Sequence, residues 1–393
     1  MRIPTRFLIW SCVSALLLCA EGGLSAQRSA SRAIEPAIQS LRASARDREV
    51  ASLFAPTFYQ ALGNKPRNDY ITNFDFDGDW RGDNNWGHAD DKKFSQKAYI
   101  YYSVAETATH FFIHYAVFHP RDYKGGERKG AILSELIHEG AQRGGKYDPT
   151  GLAEETALAH ENDMEGCLVV VAKNGNDLEH GRVVFVETLH HNLFSKYVTG
   201  ETVPKAFEKV KLDSQRALLY VEPKGHGIEA YDGGEKQTAK KKFLIYKFAA
   251  KAEDPEKANE GSVGYELVPI QTTLWLKAQR KTAKATETIS GMNDTYGEAH
   301  DYAQVTIAIV QNGGRIAKRK ISVGEIGSAF LGNVGGHNMA RPPWGWFDRN
   351  DADEPLGFWF FDPAKIIKRD FKLDDSFSTA YIRLPFWAVG QRG

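Results

Sequence analysis

The sequence predicts a mainly β protein: an antiparallel β-sandwich with short decorating helices and long loops. Runs of aromatic and β-branched residues recur along the chain, separated by Gly, Asn and Asp clusters, while helical periodicity is confined to short pieces. No βαβ alternation, Gly-rich phosphate loop or internal repeat interrupts that pattern. The 393 residues are 42% hydrophobic and 25% charged, which excludes a disordered or fibrous chain. Lys and Arg total 50, as do Asp and Glu, so no basic field speaks for a nucleic-acid partner.

Residues 1–26 read as a signal peptide. Arg2 and Arg6 precede a single apolar run at 7–20, too short for a membrane helix of about 20 residues, and Ser25 and Ala26 offer a cleavage point. The expected location is therefore secreted or periplasmic, with no transmembrane segment in the mature chain. Cys12 and Cys19 fall within the signal. Cys167 then stands alone, with no basic neighbour to activate it, and is expected to be a small buried hydrophobe. Residues 27–60 are expected to be a helical or flexible segment, and 61–393 a single large sandwich domain with a C-terminal extension.

The first clear strands are 98–104 (AYIYYSV) and 109–118 (THFFIHYAVF), joined as a hairpin. Both faces of the second run carry bulky apolar groups, as an inner strand requires. Further strands are expected at 166–172, 183–187, 217–222, 242–248 and 305–310. Short helices are expected near 132–140, 204–210, 274–282 and 363–370. The charge runs 236–242 and 251–260 read as solvated loops.

The densest chemical constellation is HENDMEG at 160–166, expected as a loop leading into a strand. Asp163 and Glu165 are two apart and project to the same side of an extended segment, and His160 can fold back onto that side. One imidazole and two carboxylates suit a divalent cation, Ca²⁺ or Mg²⁺ and also Mn²⁺, over structural Zn²⁺. His190 and His191 close another strand. His226 lies between two glycines just after a third, where the backbone can approach a neighbour closely.

Two other clusters stand out. Asp75, Asp77 and Asp79 alternate around Gly78 as in the start of a calcium loop, but Trp86 occupies the twelfth position, so a looser cation or glycan loop is the candidate. Near the C-terminus, Trp344, Trp346 and Trp359 flank several carboxylates and form a candidate aromatic surface for sugar rings or a lipid interface.

The H-x-x-D-x-E skeleton at 160–165 resembles that of the necrosis- and ethylene-inducing-like cytolysins. The order of pieces is similar to the broader vacuolar-sorting-protein-sixty-two-like family: this motif, then His190/His191, then LYVEPKGH ending at His226. The resemblance covers about residues 98–231. It implies a β-sandwich in which His160, Asp163 and Glu165 hold a divalent cation and His191 and His226 line the same pocket. It also implies recognition of a lipid head group. The chain departs from the cytolysins at Leu152, where they carry another acidic ligand, and at Met164, where they carry Trp.

Two functions follow as expectations. One is a secreted, metal-binding β-sandwich that recognises a lipid head group or a glycan. The other is a metal-assisted hydrolase or lyase with His191 or His226 as acid/base. No G-x-S-x-G or H-E-x-x-H element supports a familiar esterase or protease.

Overall fold

The structure, a computed structural model, describes residues 44–80, 84–122, 160–175, 177–190, 193–201, 203–233, 242–275, 304–311, 313–322, 342–346, 348 and 357–385. The expected signal peptide, the helix expected at 132–140 and His191 lie outside them. The chain divides into two units, residues 1–49 and 50–393. Residues 44–49 of the first are helical. The second unit carries the sheet.

Its strands are β1 (Thr57–Leu62), β2 (Tyr99–Thr107), β3 (His110–Asp122), β4 (His160–Asn174), β5 (Asp177–His190), β6 (Leu193–Val198), β7 (Glu208–Lys209) and β8 (Leu212–Asp213). They continue as β9 (Arg216–Val221), β10 (Ile228–Ala230), β11 (Lys242–Phe248), β12 (Ser262–Pro269), β13 (Gln304–Val310), β14 (Ile316–Ser322) and β15 (Tyr381–Arg383). The sheet order is β10-β9-β1-β11-β12-β2-β3-β4-β5-β6-β7.

The protein is mainly β, as expected, but the sheet is mixed and curls into a half-barrel. Antiparallel pairing runs unbroken only from β2 to β6. β1 pairs parallel with β9, β11 with β12, and β12 with β2. This corrects the all-antiparallel expectation. Strand propensity reports each segment's fit to a pleated surface, whereas parallel pairing is decided by partners far away in sequence. β1 also lies largely within the stretch expected to be helical or flexible, yet sits between β9 and β11.

β3 and β4 are inner strands, and each buries both faces. Phe112, Ala116, Phe118, Leu168 and Val170 belong to one apolar cluster. Phe111, Ile113, Tyr115, Val117, Val169 and Val171 belong to the other. Period-two alternation explains the two-sided apolar runs of the sequence. The first cluster is covered by the C-terminal aromatic segment, whose helix Pro363–Asp370 forms where its periodicity predicts. The helix expected near 204–210 is instead a turn leading into β7, because Pro204 begins the turn closed by Phe207 N–H donating to its carbonyl. The HENDMEG motif is not a loop either: β4 begins at His160 and pairs with β3 along this length.

Candidate functional site

The site is built at the far end of the β3–β4 pair. Their register places His119 directly opposite Asp163 and puts Val117 opposite Glu165. Both side chains therefore emerge on the face that carries Tyr115 and Val117. His226 reaches the same point from the turn between β9 and β10, where Glu222 N–H donates to the Gly227 carbonyl. His226 holds φ at 56°, and Asn162, beside Asp163, holds φ at 61°. Left-handed backbone at non-glycine residues is costly and concentrates at positions that their surroundings over-determine. Gly227 supplies the close approach: a Cβ there would lie 2.7 Å from the His190 ring.

His226 is fully buried between two carboxylates. Its Nδ1 lies 2.8 Å from Asp163 Oδ2 and its Nε2 lies 3.3 Å from Asp69 Oδ1. Burial pulls the imidazole down, but the hydrogen bonds and charges of Asp163 and Asp69 outweigh it and raise the pKa to about 10. Asp69 ends the 3₁₀ turn Pro66–Asp69 and is itself fixed by the backbone N–H groups of Gly63 and Lys224, each donating at 2.7 Å.

His119 stacks on His226 with ring centroids 3.7 Å apart and planes 6° from parallel. Burial, and then the neighbouring His226, push its pKa well below the ordinary value, so it is neutral. Gln60 of β1 fixes the tautomer. Its amide nitrogen donates to the Glu222 and Ala61 carbonyls, so its oxygen faces His119 Nε2 at 2.9 Å and accepts that N–H. The Nδ1 lone pair is left buried, with no hydrogen-bond partner among the described residues. Ligand-type atoms of His119, Asp163 and His226 lie within 4.8 Å of one another, so this group could hold a metal ion. Two imidazoles and a carboxylate form a donor set that fits a divalent ion.

Of the residues singled out from sequence, Asp163 and His226 come into contact. Glu165 is buried two residues along the same strand, outside the group of three. His160 pairs through its backbone with Asp122 at the start of β4, and its side chain lies outside the described residues. Asp75, Asp77 and Asp79 take up loop bonds. Asn73 donates to Asp75, Asn84 donates to Asp79, and Asp77 lies 2.6 Å from His88 Nδ1. Trp344, Trp346 and Trp359 are buried, which corrects the aromatic-surface expectation. Trp346 N–H donates to the Met164 carbonyl and Trp359 N–H to Glu187, so these rings seal a sheet face and are closed to sugar or lipid.

The chain matches no protein family and no curated protein. Its fold is distantly similar to solved necrosis and ethylene inducing protein structures. One is Necrosis and Ethylene inducing Protein 2 from the causal agent of cocoa's witches' broom disease, at 13% identity over 56% of this chain and 73% of that one, with TM-score 0.26. Another is NLPPya in complex with mannosamine, at 13% identity over 57% and 73%, also with TM-score 0.26. A third, non-toxic HaNLP3, is 11% identical over 57% and 74%, with TM-score 0.25.

Three site residues were not visible from sequence alone. His119 sits one residue past the expected strand 109–118, and Gln60 and Asp69 lie outside every motif. The available signal was alternation: His119 continues the face of Phe111, Ile113, Tyr115 and Val117.

Proposed function

We propose that this is an exported protein in which His119, Asp163 and His226 hold a divalent cation, and that the cation-organised end of the sheet recognises a sugar, free or as the head group of a lipid. The observation that carries the reading is the His119 Nδ1 lone pair, buried and without a donor beside a carboxylate and a second imidazole. Such a group is costly unless something satisfies it, and a cation does so. His226 would give up its Nδ1 proton to become a ligand. Ca²⁺, Mg²⁺ and Mn²⁺ are the ions expected from the carboxylate-rich motif, and the two imidazoles add Zn²⁺ to that set.

Recognition is favoured over hydrolysis by the state of His226. Both of its nitrogens are engaged: Nδ1 faces Asp163 and would bind the cation, and Nε2 faces Asp69, so neither is free to take a proton from a substrate. The motif resemblance supports a head group as ligand, and mannosamine is the natural first sugar probe.

The test is calorimetric titration of the metal-stripped chain with Mn²⁺, Zn²⁺, Ca²⁺ and Mg²⁺, followed by mannosamine and by vesicles carrying a glycosylated lipid. One equivalent of cation should bind, and sugar binding should require it. No binding of any of the four ions would overturn the reading.

A further inference from the structure

The covered face of the sheet holds a second buried group of titratable side chains, distinct from the site above. Glu187 of β5 is fully buried. Its Oε2 accepts the Trp359 indole N–H at 2.7 Å. Its Oε1 has no hydrogen-bond partner among the described residues, and neither has Asp370 Oδ2, which is also buried. Asp370 ends the helix Pro363–Asp370 and is held by Lys196 Nζ at 3.1 Å and Arg369 Nε at 2.7 Å. Lys196 is the cross-strand neighbour of Glu187 on β6, yet its ammonium group is placed against Asp370. His114 of β3 completes the surroundings, with Nε2 3.0 Å from the Trp359 carbonyl. Burial lowers its pKa to about 3, so it brings no charge.

Two neighbouring buried carboxyls that lack a donor repel unless a proton lies between them, and Lys196 and Arg369, the cations described beside them, are both paired with Asp370. We infer that Glu187 is protonated and donates to Asp370, and that this shared proton clasps the C-terminal aromatic segment onto the sheet. Trp359 is the second point of the clasp: its N–H donates to the other oxygen of Glu187, and its ring packs 4.5 Å from Phe194 and 5.5 Å from Trp346.

The sign of the pH response follows. Burial first, then the Asp370 charge, raises the Glu187 pKa well above the ordinary carboxyl value. The closed form therefore keeps a proton that the open form releases, and the clasp weakens as pH rises. The opening equilibrium should grow about tenfold per pH unit between the ordinary carboxyl pKa and that of the closed form.

Amide exchange of the helix Pro363–Asp370 in the full chain, from about pH 6 to about pH 9, tests this. Glu187→Gln is the reference, since its amide donates to Asp370 and accepts from Trp359 without titrating, and it shares the intrinsic exchange rates. Wild-type protection should fall relative to Glu187→Gln as pH rises, by up to about tenfold per pH unit. Lys196→Met should shift that fall to higher pH, because it removes a cation that favours the ionised form. Infrared spectra should show a protonated-carboxyl stretch that disappears in Glu187→Gln. Parallel pH profiles in wild type and Glu187→Gln would overturn the inference.

Discussion

Replacing His226 with glutamine removes an imidazolium that Asp163 and Asp69 hold between them, and the pH dependence of stability reports its loss. The imidazole rises from an ordinary 6.5 to about 10 in the folded chain, because two carboxylates overcome the cost of burial. A group whose pKa is raised by folding stabilises fully below its unfolded value and loses that contribution as pH climbs to the folded one. The contribution should be complete below pH 6.5 and disappear by about pH 10. Its size is on the order of 3–5 kcal/mol, at about 1.4 kcal/mol per tenfold change in proton affinity. The assay is urea unfolding of the metal-free chain at a series of pH values, with the stability of His226→Gln subtracted from that of wild type. Above pH 6.5 the difference should fall by up to about 1.4 kcal/mol per pH unit. Subtraction removes the separate slope from Glu187, which is common to both proteins. A difference independent of pH across the window would refute the imidazolium and the two-carboxylate clamp that explains it.

Three further outcomes are expected. A cation at a hundredfold excess over its dissociation constant should stabilise wild type by about 2.7 kcal/mol in thermal melts, and Asp163→Asn should remove that response. Gly166→Ala should destabilise by about 1–3 kcal/mol or more in urea unfolding, because the added Cβ would lie 2.2 Å from Trp346 Cη2 and 2.7 Å from the Tyr115 carbonyl. Cys167, buried and with its pKa raised by that burial, should resist alkylation in the native state and react only after unfolding, as followed by mass spectrometry.

The inner strands were legible because β3 and β4 carry aromatic and β-branched residues on both faces, a pattern that a strand covered on both sides produces. The helix Pro363–Asp370 was legible from its own periodicity. The pairing of β1 with β9 and β11 was not, since neither partner lies near it in sequence. Asp163 and His226 were found because each sits at a strand end in a motif. His119 escaped because the apolar run ends at Phe118, and only the register with β4 shows that the next residue faces Asp163. Asp69 escaped for a different reason: its aim comes from a 3₁₀ turn held by Gly63 and Lys224, and short-range periodicity does not encode such a contact. The three tryptophans misled because an aromatic cluster beside carboxylates reads the same whether it faces solvent or closes a core. Trp359 and Glu187 show which: the indole and the carboxyl bury each other's polar atoms.

The central claim is that His119, Asp163 and His226 hold a cation. Anomalous diffraction from crystals of the full chain soaked in Mn²⁺ or Zn²⁺ tests it most directly. One anomalous peak is expected at about 2.0–2.3 Å from His119 Nδ1 and from an Asp163 oxygen, absent in Asp163→Asn. A map with no peak between these three side chains, or a peak unchanged in the variant, would contradict it.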